Sequence, residues 1–431
     1  MAKCRLNSET PLLLIVAAGP LQIPAFHEAR SLGCKIIAVD RSGSAPGMRL
    51  ADKAYEMDIK QSHEIAEIAR IENVKGVMSI CTDFAVPTVA VVADALGLPG
   101  LRPNSALKAS DKRLMRRAFF ACDVPSPNFC EVSDVKSASL AAGRLGYPVA
   151  LKIPKSAGSR GVYRVDTPSE LIERFERARS LEPCADLLIE EWLRGPEVSV
   201  EGCCVGLEPH IVQITDKLLF SGPNPVEAGH TQPTQLGQRT QDLIRTTTCS
   251  GIRALALEDC GFHAELKVTE SGPRIVEIAA RLGGDRIATH LTPLSTGVNL
   301  VRAVIELALG RKPSLKPSCN RGAAIRYFDM PGPGWLDRVE GLDILYGLPG
   351  VEHLSFQTEA GEPLRPGLNV RQVHSSLDRS GCVIFSGRNA HDAGNRAEAA
   401  IRTVAFYVRP DSDRPACEVF TQPVVGTTQP Q

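Results

Sequence analysis

Two periods of hydrophobic and polar residues run along this chain, and the change between them divides it into regions. Over the first hundred residues, short apolar runs alternate with helical spacing. Residues 12–17, 36–40 and 76–80 predict strands, and 23–33, 62–70 and 86–96 predict helices. Strands alternating with helices predict parallel βαβ units. Asp40 and Thr82-Asp83 then fall at strand C-ends, where such sheets hold ligands. The turn Ala17-Ala18-Gly19-Pro20 lacks a full dinucleotide fingerprint and reads as a tight turn.

The pattern changes after residues 99–110, which read as a boundary. Residues 111–122 predict a basic helix, and 149–154 a strand that enters the loop Lys155-Ser156-Ala157-Gly158-Ser159-Arg160-Gly161 and returns over 162–165. Thr167-Pro168-Ser169-Glu170 is a helix start, with a capping hydroxyl, Pro at the first position and Glu at the third. A helix over 171–179 follows, then strands over 187–191, 198–204 and 211–215. A hairpin over 262–269 and 273–278 turns across Glu270-Ser271-Gly272, and a helix over 298–309 stops at Gly310 and Pro313. In a third region 323–328, 351–356 and 382–386 predict strands, and 390–407 carries a long helical pattern. The polar, Pro-rich segment from Asp411 has no visible core and reads as disordered. The class is α/β with α+β lobes. The expected domains are 1–105, 106–312 with a small subdomain over about 125–192, and 313–410, followed by the 411–431 tail.

Composition narrows the function. Lys plus Arg and Asp plus Glu number 49 each. A neutral chain has no global field to hold nucleic acid or an anionic membrane, so neither is expected as a partner, and phosphate chemistry needs a local site. The longest apolar run, 11–18, is too short to span a bilayer, and the first residues do not read as a signal peptide. Thirteen cysteines without a Cys-x-x-Cys pair argue against a zinc site or a disulfide framework. They point to small buried hydrophobes in a reducing cytoplasm.

The hairpin carries the first chemical signal. A turn centred on Ser271 pairs Glu265 with Glu277, Leu266 with Val276 and Ala264 with Ile278. One face is then apolar, and the other sets two carboxylates across from each other. Like charges in a cross-strand pair destabilise a sheet unless a cation sits between them. Mg²⁺ suits the pair, because it takes one or two carboxylates plus substrate phosphates. The Gly/Ser-rich loop 155–161 offers backbone N–H groups to phosphate oxygens. Lys152, inside an apolar strand, needs a phosphate or an acidic partner. Downstream, an acidic connector, Glu190-Glu191-Trp192-Leu193-Arg194-Gly195-Pro196-Glu197, joins two apolar strands.

These segments in this order resemble the ATP-grasp superfamily, from about residue 12 to residue 407. The resemblance implies an ATP-grasp fold: an N-terminal βαβ domain, an ATP-binding lobe with a small lid, and a C-terminal lobe. It implies ATP and Mg²⁺, with Mn²⁺ as an alternative. Lys112 and Lys152 resemble the basic residues that reach the phosphates. Ser156, Gly158, Ser159 and Gly161 belong to the loop that closes over them. Glu190, Glu191, Trp192 and Leu193 resemble the hinge that reads the adenine edge, and Glu197 the ribose ligand. Glu265 and Glu277 resemble the metal ligands. In place of the common Glu-x-Asn, this chain has Ala279 at the Asn position, so one oxygen ligand is missing.

The run Glu277-Ile278-Ala279-Ala280-Arg281-Leu282-Gly283-Gly284-Asp285 resembles the L-amino acid ligase branch. So does Val226-Glu227-Ala228-Gly229-His230, where the resemblance places Glu227 near a substrate amino group and His230 near the acceptor. Arg281 would stabilise the acyl phosphate and the oxyanion. The expectation is an ATP-dependent ligase that activates a carboxylate as an acyl phosphate and couples it to an amine. Both substrates are small molecules, and a homodimer is the family's habit. The alternatives are a biotin-carboxylase-like or purine-pathway ligase, or a nucleotide-binding protein without catalysis.

Overall fold

In the computed structural model, residues 10–156, 161–183, 186–220, 226–358, 361–371, 373 and 375–410 are described. The 411–431 tail, and Gly158 and Ser159 of the phosphate loop, lie outside them.

Four parallel strands form the N-terminal sheet, in the order Lys53–Glu56, Lys35–Asp40, Leu12–Val16, Gly76–Met78. They are parallel because each crossover carries a helix or a turn over one face. One face buries Leu14, Val16, Ile37 and Val39 under the helices Ser62–Ile71 and Val86–Leu96. The other packs Leu13, Ile15 and Ile36 against the helices Ile23–Ser31 and Leu300–Ala308. The second of those helices comes from the middle of the chain, so this sheet is bolted to the rest through apolar contact. Residues 17–20 form a tight turn: Ala17 is left-handed (φ 76°), and the Ala18 carbonyl accepts from Gly47 N. Residues 103–110, within the expected boundary, are helical, because Pro103 opens a helix at its first position.

A small antiparallel sheet, Phe129–Val132, Leu187–Glu191, Val149–Lys152, Val162–Val165, carries the helices Val135–Leu145 and Pro168–Leu181. The predicted helix start is realised: the Thr167 hydroxyl accepts from Glu170 N. Between this sheet and the N-terminal one lies an eight-stranded sheet. It runs Gly272–Ala279, Gly261–Thr269, Glu197–Val205, Glu208–Leu219, Glu227–Gln232, Gly322–Phe328, Ser380–Gly387, Val351–Thr358. Strands from both sides of Pro313 therefore belong to one sheet, joined where Glu227–Gln232 pairs with Gly322–Phe328.

The hairpin differs from the simple register. Its turn is two residues long, so Thr269 pairs with Gly272, and Leu266 pairs with Ile275 rather than Val276. A bulge at Val276 then inserts one residue and restores the pairs Glu265–Glu277 and Ala264–Ile278. The bulge leaves the Val276 carbonyl free of the ladder, and Arg116 Nη2 donates to it at 2.6 Å. Ala264, Leu266, Ile275 and Ile278 are fully buried against the helix Gln238–Leu255. Side chains of that size contribute roughly 1.5–3 kcal/mol each when buried. The predicted long helix over 390–407 ends early. Ala390–Ile401 is helical, and Ala405–Arg409 is a strand paired with Gly334–Glu340. The period drops to two across Phe406, Tyr407 and Val408, which alternate inward and outward.

Candidate active site

The strand ends, the lid sheet and the eight-stranded sheet enclose a cleft of about 520 Å³. Every predicted site residue that is described lines it, except Gly161. Gly161 sits at the turn (φ 67°), where its carbonyl accepts from Ile153 N and a Cβ would strike the Ile153 side chain.

Glu265 and Glu277 face each other across the hairpin and point into the cleft. Glu265 has two cationic neighbours, Lys217 Nζ at 2.8 Å and His263 Nε2 at 3.4 Å, and Lys112 Nζ lies 3.1 Å from Glu277. Lys112 also donates to the Ser156 carbonyl at 2.7 Å, tying the helix Lys112–Ala121 to the start of the loop. Lys217 is the hub of the cleft floor. It is buried and reaches Glu197 at 2.5 Å, Glu265 at 2.8 Å and Glu227 at 3.5 Å. Burial alone would lower its pKa, but the three carboxylates push it well above the usual lysine value. Beside Glu265 stands His263, which also binds Glu201. Burial works against its charge, and the two carboxylates outweigh burial and raise its pKa to about 9.

In the lid, Glu190 is buried between Arg116 (2.8 Å) and Lys152 (2.7 Å). Lys152 thus has the acidic partner that its apolar strand demands. Burial would raise the Glu190 pKa, but these two cations bring it down to about 2. The Glu190 side chain is therefore a structural anchor. Glu191 accepts from Arg274 at 2.8 Å. Trp192 and Leu193 follow the strand, and their backbone groups make no hydrogen bond among the described residues. Such unpaired groups can read the edge of a planar base. Glu197, at the next strand's start, is held by Lys217 and by Lys267 at 2.9 Å.

At the far end Arg281 forms a two-pronged pair with Asp83 of the N-terminal region, at 3.0 and 2.8 Å. Burial opposes the Arg281 charge, but Asp83 outweighs it and raises the pKa. Glu227 accepts from Ser376 at 3.0 Å, and His230 Nε2 lies 3.0 Å from Asp285. Asp285 in turn is gripped by Arg379. Sequence reasoning missed Arg116, Lys217, His263, Asp285, Ser376 and Arg379. Asp285 lay inside the quoted run 277–285, whereas Lys217 lies just past the predicted strand 211–215, and the observed strand Glu208–Leu219 extends over it. Arg379 and Ser376 come from a distant turn with no sequence signal.

The donor set fits a magnesium–nucleotide complex. Among the described residues no three His, Cys, Asp or Glu side chains form a metal-holding group. Two facing carboxylates therefore leave the other positions to phosphate and water, as Mg²⁺ favours. A strand end with unpaired backbone groups, two lysines, a pair of facing carboxylates and an arginine beyond them line one cleft, a set of groups with the chemistry to hold a magnesium–nucleotide complex.

Comparison with known proteins agrees. The ATP-grasp domain model matches residues 145–289, the ATP-grasp N-terminal domain 26–100, and the L-amino acid ligase C-terminal domain 2 matches 326–409. Human carnosine synthase 1 is 24% identical over 73% of this chain and 41% of its own length. Alanine–anticapsin ligase of Bacillus subtilis is 26% identical over 54% of each chain. The crystal structure of L-amino acid ligase from Bacillus licheniformis shares the fold. Its TM-score is 0.80 at 22% identity, over 93% of this chain and 99% of that one. These matched domains support an ATP-grasp ligase close to the L-amino acid ligase branch. Together they support an ATP-dependent carboxylate–amine ligase that uses ATP and Mg²⁺, with Mn²⁺ as an alternative. Among the described residues no helix is long and apolar enough to cross a membrane.

Proposed function

We propose that this ligase joins an amino acid, through its carboxylate, to a second small-molecule amine, and that the cleft residues divide the work as follows. Glu265 and Glu277 would hold Mg²⁺, which would neutralise charge on the phosphates. Lys112 and Lys152 add positive charge on the lid side. Trp192 and Leu193 read the base, and Glu197 the ribose. The substrate carboxylate attacks the γ-phosphorus, the bond from that phosphorus to the β–γ bridging oxygen breaks, and ADP leaves with the electron pair; the acyl phosphate forms in a step that depends on positioning and charge more than on covalent help. Arg281, fixed by Asp83, faces the charge that develops on the carbonyl oxygen as the amine attacks. Glu227 lies where a substrate ammonium can pair with it.

The observation that carries this reading is the Glu265–Glu277 pair, set across one bulged hairpin in the cleft that also holds Lys112 and Arg281. The amino acid substrate is supported by the L-amino acid ligase domain match and by the two ligase relatives. All ten cysteines of the described residues are free, which fits a cytoplasmic location. A homodimer is proposed on the family's habit alone, and light scattering tests it.

The test is phosphate release from ATP with a panel of amino acids, singly and in pairs, with products identified by mass spectrometry. Release that needs both an amino acid and an amine, together with a dipeptide-like product, is expected. Turnover with bicarbonate or a ribosylamine, and none with amino acids, would overturn the substrate assignment. Glu277→Ala should lose phosphate release at least about a hundredfold, the scale on which transition-state charge stabilisers act. A variant with wild-type rates would remove the metal assignment.

A further inference from the structure

The helix Lys112–Ala121 carries two basic side chains one turn apart, and both reach from it to the lid and to the metal hairpin. Lys112 donates to the Ser156 carbonyl at 2.7 Å and to Glu277 at 3.1 Å. Arg116 makes the same span deeper in the fold. Its Nε and Nη2 donate to the two carboxylate oxygens of Glu190, at 2.8 and 3.2 Å, and Nη2 also donates to the Val276 carbonyl at 2.6 Å. Glu190 stands two residues before Trp192, and Val276 stands beside Glu277. Next to them, Ile275 N donates to the Pro125 carbonyl at 2.9 Å. Gly272–Ala279 is the edge strand of its sheet, so Arg116 and Pro125 take backbone groups there that no neighbouring strand takes.

Stability alone does not account for this arrangement. Arg116 is fully buried, and its Nη1 has no hydrogen-bond partner among the described residues. A buried ion pair gains little over apolar side chains of similar volume, because desolvation offsets the attraction. What the guanidinium adds is geometry. Its donors lie in one plane in fixed directions, so a single group can hold a carboxylate and a carbonyl at a set separation. The Val276 carbonyl, left out of the ladder at the bulge, supplies the second acceptor. Arg116 does not line the cleft, so any effect on bound molecules passes through the two elements it joins.

We propose that Arg116 is a positioning residue for phosphoryl transfer, fixing the separation between the strand end that reads the base and the carboxylates that hold the metal. This rests on the nucleotide reading above. Glu190 anchors the first of those parts and the Val276 carbonyl the second, and one rigid side chain holds both. A nucleotide crosses that separation through its phosphates. A fixed separation therefore selects the length of the phosphate chain and sets the γ-phosphorus where the substrate carboxylate can attack in line. A loose one accepts chains of other lengths and misplaces the reacting atom.

Discrimination by chain length reads the separation directly. MgATP and magnesium adenosine 5′-tetraphosphate share base and ribose and differ by one phosphate, and the affinity of each follows from displacement of a fluorescent ADP analogue. Arg116→Lys keeps a charge beside Glu190 but replaces the planar fork with one flexible ammonium. Wild type should bind MgATP about tenfold or more tighter than the tetraphosphate, and Arg116→Lys should narrow that ratio about threefold or more, mainly through weaker MgATP binding, since a misplacement of about 1 Å can cost about a hundredfold. A role in stability alone would lower both affinities in proportion. An unchanged ratio in Arg116→Lys, or a wild type indifferent to the extra phosphate, would overturn the proposal. Should the lysine variant fail to fold, Arg116→Met, in which Glu190 keeps Lys152 as a partner, should narrow the ratio in the same way. Wild-type protein that binds no MgATP at all would instead sink the nucleotide reading, and the proposal with it.

Discussion

Glu190 shows how a single residue can read one way in sequence and act another way in space. It stands in the acidic connector, yet its carboxylate is sealed between Arg116 and Lys152 and held at a pKa of about 2 against the opposing effect of burial. A folded-state pKa below the ordinary one means stability that is present above the unfolded value, near 4.5, and lost as the pH falls towards about 2. The contribution is roughly 3 kcal/mol. Urea unfolding of wild type and Glu190→Gln should differ most at neutral pH and converge between pH 4.5 and 2. A gap that stays constant over that window would refute the assignment. The partner Arg116 was illegible in sequence, because a basic helix face usually meets solvent, and only packing shows this one buried.

At the scale of elements, the hairpin was legible for a reason that alternation alone does not supply. The facing of Glu265 and Glu277 follows from equal distances to the turn, but the real turn is one residue shorter and the Val276 bulge compensates. Alternation fixed which side is apolar, and the bulge could not be read, since nothing in Ile275-Val276-Glu277 marks it. The connector after the hinge is similarly exacting. Gly195 has φ 130°, and a Cβ there would lie 2.0 Å from the Val268 carbonyl. Gly195→Ala should therefore push the connector off the hairpin. The expected result is a lower melting temperature, by several degrees, with a raised KM for ATP, since ΔΔG of 1 kcal/mol shifts a domain's Tm by about 2–8 °C. Unchanged melting and unchanged KM would show that the strand shifts at no cost.

Across the whole molecule, three regions supply one cleft. Asp83 comes from the N-terminal region, Glu265 and Glu277 from the middle, and Ser376 and Arg379 from the last third. The eight-stranded sheet passes through the expected division near residue 313, so that division is not a seam. A chain ending at 312 would leave Glu227–Gln232 without its neighbour strand and expose Ile287 and Leu291, which pack against Ile325 and Ile384 in the full chain. An open apolar edge of that kind invites aggregation. Such a fragment should be insoluble or bind no ATP, as judged by soluble yield and nucleotide titration; a soluble monomer that binds ATP would contradict this.

Local sequence pattern carried no sign of the strands Lys53–Glu56 and Phe129–Val132 or of the helix Val135–Leu145, but it predicted the other strands and the helices of the N-terminal sheet, the rest of the lid and the apolar side of the hairpin. These depend on neighbours a few positions apart, and period and capping chemistry are written there. The pairing of Lys152 with Glu190, of Lys217 with three carboxylates, of Arg281 with Asp83 and of Asp285 with Arg379 was decided by tertiary structure alone. Those partners lie from ten to nearly two hundred positions apart. A charge's partner is chosen by which surfaces the folded chain brings within a few ångströms, and no local period records that choice.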